Sequence, residues 1–107
     1  MKRILFTLAY AVSAVAGFAA TSPVLADQAL ATAKNCMTCH AVDKKLVGPS
    51  FKDISAKYGG QAGASDKLAA KVIKGGSGAW GPVPMPANPQ VSADEAKKLV
   101  DWILTQK

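Results

Sequence analysis

The chain has 107 residues, of which 50% are hydrophobic, and its 13 basic and 7 acidic side chains give a formal net charge of +6. This length allows one domain and excludes a multidomain enzyme, and the hydrophobic fraction excludes a disordered chain. The two cysteines are too few for a disulfide framework, so a disulfide-stapled scaffold is also excluded.

The first 26 residues are predicted to be a secretory signal peptide. Lys2 and Arg3 form a positive start, and an apolar run follows from residue 4 to residue 20. Val24 and Ala26 occupy the positions that signal peptidase reads before a cleavage point. The alternative is an uncleaved membrane anchor, but the run is shorter than the ~20 residues that a spanning helix needs. We therefore expect export, cleavage after Ala26 and no stable membrane insertion afterwards.

Residues 27–107 form the predicted domain, which has 81 residues. Because the leader carries two basic residues and no acidic one, the formal charge of this domain is +4 rather than +6. A chain of this size buries only about 60–65% of its unfolded surface, so its own core leaves it marginally stable. We expect an additional group to fill part of the core.

The sequence predicts an all-α fold of four to five short helices. The first covers about Gln28 to Asn35, where small and apolar residues share one face. The second follows Ser50, the predicted N-cap, with Asp53 as a weak capping-box partner. Its apolar positions recur with helical spacing, and the pair Gly59-Gly60 ends it.

Two further helices are predicted in the second half of the domain. Ser65 is the predicted N-cap of the third helix, which ends at Gly75-Gly76. Its predicted buried residues are Leu68, Val72 and Ile73. The fourth helix begins with a full capping box formed by Ser92 and Glu95. Its apolar stripe consists of Ala96, Leu99, Val100 and Ile103.

Residues 76–90 are predicted to form a long loop, since they contain four prolines and three glycines. No run in the sequence alternates with a period of two, so no strand is predicted. A structureless loop of this length inside a small domain usually has a function.

Cys36-Met37-Thr38-Cys39-His40 is the C-x-x-C-H pattern that attaches a c-type haem. Each thiol adds to a haem vinyl group, and the histidine after the second thiol lies under the iron as an axial ligand. A redox-active cysteine pair would need a βαβ context, and a zinc site would need four ligands. A disulfide across two intervening residues would close a very small loop and stabilise little. The pattern therefore favours one covalently attached haem.

Met85 is the predicted second axial ligand, by elimination. His40 is the only histidine, and Met1 belongs to the leader. Met37 lies three residues before His40, on the attached side, and cannot reach the opposite haem face. The prolines that flank Met85 stiffen the chain and hold a weak thioether bond in place. A lysine would first have to lose its proton to replace it.

Three segments resemble a known family. They are the C-x-x-C-H pattern, Val47-Gly48-Pro49 and the segment Trp80-Gly81-Pro82-Val83-Pro84-Met85-Pro86. Together they resemble the class I c-type cytochromes, and most closely the small bacterial cytochrome c-551/c-552 group. The resemblance covers the whole of residues 27–107 and implies a small class I cytochrome c fold wrapped around one haem c.

The resemblance also implies roles for individual residues on the haem. Thioethers would be carried by Cys36 and Cys39, and the iron would be held by His40 and Met85. The carbonyl of Pro49 would accept a hydrogen bond from the far nitrogen of the imidazole, which orients the ring.

Three more residues are implied in haem binding. Trp80 would donate a hydrogen bond to a buried haem propionate, although packing in the core is the alternative. Asn88 would support the sulfur of Met85. Lys71 stands where some members of the family have an arginine facing the propionates, so the charge is kept but the bidentate fork is lost.

With both axial positions filled by protein, the iron has no open site and exchanges electrons only. We therefore expect a soluble periplasmic monomer, not an enzyme, that carries single electrons between larger respiratory proteins. Lysines near the haem would form a positive rim that steers acidic partners. These are Lys34, Lys44, Lys45, Lys52, Lys71 and Lys74. A nitrite reductase, a terminal oxidase or a quinol-oxidising complex would suit as partner, whereas nucleic acid would not.

Two other classes of function remain open at this point. A loosely bound Met85 would make the protein a gas-binding or catalytic haem protein. A chain without haem would be a small metal-binding or redox-active domain.

Overall fold

The computed structural model describes residues 11, 13, 14, 17 and 23–107, and for residues 23–26 it describes the backbone alone. The predicted signal peptide therefore lies almost entirely outside the described residues. Among the helices in the described ranges, none has both the length and the apolar character needed to cross a membrane.

The first helix, α1, spans Pro23–Ala33 rather than the predicted Gln28 to Asn35. The early start suits proline, whose fixed φ and missing N–H are tolerated in the first helical turn. The early end follows from Asn35, which has a left-handed φ of 66°. This turn leads directly into a short 3-10 helix, Cys36–Thr38.

The second helix, α2, spans Phe51–Tyr58, as predicted. The Ser50 hydroxyl accepts a hydrogen bond from the Asp53 backbone N–H at 3.0 Å, which confirms the predicted N-cap. Phe51 and Tyr58 are buried, and Ile54 between them is half-buried.

The third helix, α3, spans Ala64–Lys74, and the prediction that Ser65 caps it was wrong. The N-cap is Gly63, whose left-handed φ of 76° a glycine adopts without strain. Ser65 lies in the first turn, and its hydroxyl donates instead to Asp101 in the last helix. Ala69 is buried, whereas the residues predicted to be buried, Leu68, Val72 and Ile73, are only half-buried.

The predicted loop contains a small antiparallel hairpin of β1, Gly76–Gly78, and β2, Gly81–Met85. Its register pairs Gly76 with Met85 and Gly78 with Gly81. The prediction that this segment has no strand was wrong. Three of the four paired residues are glycines, so the strands show no alternation of apolar and polar side chains that a sequence pattern would reveal.

The last helix, α4, spans Ala93–Ile103 and begins with the predicted capping box. All four residues of its predicted apolar stripe are buried, and Trp102 is buried beside them. The helix packs mainly on α3 and also contacts α1 and α2. The Phe51 and Trp102 rings meet edge to face with centroids 5.4 Å apart. The all-α prediction is therefore confirmed, with the hairpin as the one addition in the described residues.

The capping box predicts a specific acid sensitivity. The pKa of Glu95 is lowered, first by the hydrogen bond from the Ser92 backbone and then by Lys34, whose Nζ lies 3.2 Å from Glu95 Oε2. Because the folded-state pKa of Glu95 lies below its unfolded-state pKa of about 4.3, the ionised carboxylate stabilises the fold fully above that pH. This stabilisation is lost as the pH falls through the folded-state pKa. In urea titrations below about pH 4.3, the unfolding free energy of Glu95→Gln should therefore fall less than that of the unmodified protein.

Glutamine still caps the helix, so this substitution removes the charge and keeps the hydrogen bond. Asp94→Asn removes an exposed carboxylate from the same turn and is the matched control. An equal effect of both substitutions would contradict the role of the capping box.

Candidate functional site

A cavity of about 590 Å³ lies at the centre of the fold and is walled by every element except α1. It brings the C-x-x-C-H motif together with Met85, which lies 45 residues after His40. The apolar part of its wall consists of Phe51, Ile54, Tyr58, Leu68, Val72, Leu99, Val100 and Ile103. Leu68 and Val72 are half-buried because they line this cavity. Its size is that of a small-molecule or cofactor site.

The two cysteines are free thiols at the wall of this cavity. The 3-10 helix presents them one turn apart, and the His40 N–H closes that turn by donating to the Cys36 carbonyl at 3.0 Å. Burial raises the pKa of the Cys36 thiol, so the thiol is neutral at pH 7. Two free thiols on one turn suit attachment to the same edge of a haem.

The imidazole of His40 is oriented by a hydrogen bond to Pro49. Its Nδ1 lies 2.7 Å from the Pro49 carbonyl oxygen, the contact that the resemblance implies. Because a carbonyl oxygen only accepts, Nδ1 carries the proton, and in the neutral ring Nε2 keeps its lone pair for a metal. The ring also stacks on Phe51, with centroids 5.4 Å apart and an interplanar angle of 23°.

Gly48 packs so closely on the imidazole that no other residue fits. A Cβ at this position would lie 2.6 Å from His40 Cε1 and 3.0 Å from Nδ1. The Gly48 N–H donates to the Cys39 carbonyl at 2.8 Å, which ties the loop to the attachment turn. Gly48 was part of a sequence motif, but its packing role could be seen only in the structure.

Met85 is half-buried at the end of β2 and lines the cavity. The chain beside it packs against Gly75, where a Cβ would lie 2.6 Å from the Met85 carbonyl oxygen. Gly75 also has a left-handed φ of 74°. The sequence marked this glycine only as a helix end, yet it also lets the segment of Met85 pass close to α3.

Asn88 has hydrogen-bond partners other than the implied sulfur of Met85. Its side-chain N–H groups donate to the carbonyls of Val72 at 2.9 Å and Pro86 at 3.2 Å. Its backbone N–H donates to the Ile73 carbonyl at 3.1 Å. Asn88 therefore ties the segment after Met85 to the end of α3.

Trp80 lies in the turn of the hairpin and lines the cavity, but 42% of its surface is exposed. Its ring meets the Tyr58 ring edge to face, with centroids 6.4 Å apart. Lys71 also lines the cavity and is half-buried.

The lysines of the predicted rim have different surroundings. Lys45 and Lys71 line the cavity, whereas Lys44, Lys52 and Lys74 are exposed. The ammonium of Lys34 donates to the Gln90 carbonyl at 3.1 Å and pairs with Glu95.

A family model described as cytochrome c matches residues 26–107. The chain belongs to the cytochrome c family. Cytochrome c-551 of Azotobacter vinelandii is 64% identical over 74 residues, which cover 69% of this chain and 89% of that protein. Cytochrome c-552 of Nitrosomonas europaea is 48% identical over 101 residues, which cover 94% and 93% of the two chains. A crystal structure of cytochrome c552 from the same species has a TM-score of 0.73 and 51% identity, and the match covers 75% of this chain and 99% of that one.

These matches confirm the predicted class I cytochrome c fold and the c-551/c-552 group. The protein is a small monohaem electron carrier, not an enzyme, and its cofactor is covalently bound haem c. The cavity fits this cofactor, because it combines apolar walls, two free thiols and an imidazole with an available Nε2.

Gly48→Ala should displace the imidazole of His40, because the added methyl would overlap the ring. We expect the free energy of unfolding of the haem-loaded protein to fall by about 1–3 kcal/mol in denaturant titrations. Ala56→Ser is the control, since it enlarges an exposed side chain that does not line the cavity. Equal stability of the two variants would contradict the close packing at Gly48.

The apoprotein should be largely unfolded, because the cavity leaves the apolar side chains around it without packing partners. The double substitution Cys36→Ala and Cys39→Ala prevents attachment and allows far-ultraviolet circular dichroism of the haem-free chain. A native-like helical spectrum of that chain would contradict this prediction.

Proposed function

We propose that this cytochrome is a soluble periplasmic carrier of single electrons between larger respiratory proteins, with His40 and Met85 as the axial ligands of its haem iron. The observation that carries the proposal is that one cavity is lined both by an imidazole with an oriented ring and by a methionine from a distant segment. Cys36 and Cys39 would hold the haem covalently. The bound haem supplies one-electron exchange between Fe(II) and Fe(III).

The chain's own residues restrict this chemistry to electron transfer. Pro49 and Gly48 hold the imidazole from the side of the loop, and Phe51 holds its face. Gly75 and Asn88 hold the segment of Met85 against α3. Ligands held in this way change position little between the two oxidation states, and a thioether ligand raises the potential relative to a second imidazole.

The surroundings of the haem edge would be set by Trp80 and Lys71, which line the cavity. Trp80 would donate to one propionate, and the ammonium of Lys71 would face this group. Both contacts would offset the negative charge of the propionates, which is costly to bury in a partly apolar site.

Docking would occur at the haem edge, guided by lysines around the cavity. Since Lys34 is engaged with Glu95 and Lys71 would face a propionate, the charges that reach a partner would come mainly from the exposed lysines of the rim, Lys44, Lys45, Lys52 and Lys74. A nitrite reductase, a terminal oxidase and a quinol-oxidising complex are the partner classes we propose. Stopped-flow titration with each, at two salt concentrations, should give rates that fall as salt rises.

Export and cleavage after Ala26 are part of the same proposal. The family match begins at residue 26 and leaves the apolar run outside it. Purified periplasmic protein should therefore have the mass of residues 27–107 plus one haem.

Met85→Ala should remove the axial thioether and open the iron to external ligands. We expect complete loss of the charge-transfer band between methionine sulfur and ferric iron, and binding of carbon monoxide to the reduced protein. Met37→Ala is the matched control, because this half-buried methionine lies on the attachment turn and should leave the band intact. The pyridine haemochrome spectrum first shows that haem is attached. An unchanged band in Met85→Ala would show that another residue is the ligand.

A further inference from the structure

Lys57 makes an unusual set of contacts for an exposed lysine. It lies in the last turn of α2, and its ammonium donates to the Ala79 carbonyl in the hairpin turn at 2.9 Å. The same ammonium lies 4.5 Å from the centroid of the Trp80 ring and 5.5 Å from that of Tyr58. A lysine head group at the surface normally extends into water, so these contacts hold this one in a defined place.

The contacts of Lys57 connect two walls of the cavity. Tyr58 and Trp80 both line it, one from α2 and the other from the hairpin. Within the described residues, the bond from Lys57 to Ala79 is the only hydrogen bond between these two elements. The turn itself lies between Gly78 and Gly81, whose φ angles of 95° and 111° are open to few other residues. The bond from Lys57 to Ala79 ties this turn to α2, beside the contact of the Trp80 ring with Tyr58.

The ammonium also places a positive charge over Trp80 and Tyr58, two residues that line the cavity. A cation over the face of an indole is held there by the negative face of the ring. A positive charge near a redox centre stabilises the form with one more electron, because the reduced centre is less positive than the oxidised one. Lys57 therefore has a mechanical and an electrostatic means of acting on the site.

We propose that Lys57 is a positioning residue for the haem: it anchors the hairpin turn that carries Trp80 against Tyr58 and raises the reduction potential through its fixed charge. This inference rests on the proposed haem ligation and adds a residue that no motif in the sequence marks. It predicts that the charge of Lys57 matters to the haem more than that of an average surface lysine.

The test compares Lys57→Met with Lys67→Met in haem-loaded protein. Both substitutions remove one positive charge from an exposed residue that does not line the cavity, and of the two only Lys57 lies over the rings of Trp80 and Tyr58. We expect Lys57→Met to lower the equilibrium constant for reduction by a reference redox couple about two- to fivefold. It should also change the tryptophan bands in the near-ultraviolet circular dichroism spectrum, and Lys67→Met should change neither.

Lys57→Arg keeps the charge and stacks on aromatic rings, so it should restore both measurements. The proposal is overturned if Lys57→Met shifts the equilibrium no more than Lys67→Met does, or if arginine fails to restore it. Lys57→Gln provides the same comparison if the methionine variant yields too little protein.

The haem and charge-transfer spectra of the unmodified protein are recorded first. Their absence overturns the proposed function and this inference with it. Their presence, together with equal effects of the two methionine variants, overturns this inference alone.

Discussion

The hydrogen bond between His40 Nδ1 and the Pro49 carbonyl is the constraint on which the rest of the site depends. It determines which ring nitrogen carries the proton and therefore which one is available to a metal. The bond forms only because Gly48 lets the chain approach the ring. Phe51 follows in the next turn and stacks on that ring, and the Phe51 ring also meets the ring of the buried Trp102 in α4. The orientation of the imidazole is thus coupled directly to the hydrophobic core.

The segment of Met85 is held by backbone contacts rather than by side-chain packing. Gly75 removes the Cβ that would separate α3 from the Met85 carbonyl, and Asn88 joins the carbonyls of Val72 and Pro86. Prolines on both sides of Met85 restrict the backbone further. A thioether is a weak ligand, so the proposed bond of Met85 to iron would persist only if the chain already holds the sulfur close to its bound position. The close contact at Gly75 and the two bonds of Asn88 restrain the segment from Met85 onward.

Local patterns could be predicted from the sequence, whereas contacts between distant segments could not. The caps at Ser50 and Ser92 depend on residues three positions apart, and both were confirmed. The predicted cap at Ser65 was wrong because a competing partner, Asp101, lies 36 residues away. The hairpin escaped prediction because its pairing runs through glycines, which carry no hydropathy signal. The hydrogen bond from the Asn88 amide to the Val72 carbonyl joins residues 16 positions apart, and no local pattern in the sequence marks it.

Contacts between distant segments also distinguish the lysines from one another. Their formal charges are equal, but their surroundings are not. The positive charge of Lys34 is largely compensated by Glu95 and is committed to joining α1 with the start of α4. The ammonium of Lys57 is held over the indole of Trp80, which lines the cavity. A simple count of lysines therefore overestimates the contribution of Lys34 to the electrostatic potential at the haem and underestimates that of Lys57. The proposed docking surface depends on the exposed lysines of the rim, whereas the proposed effect on the reduction potential depends on where the fold holds Lys57.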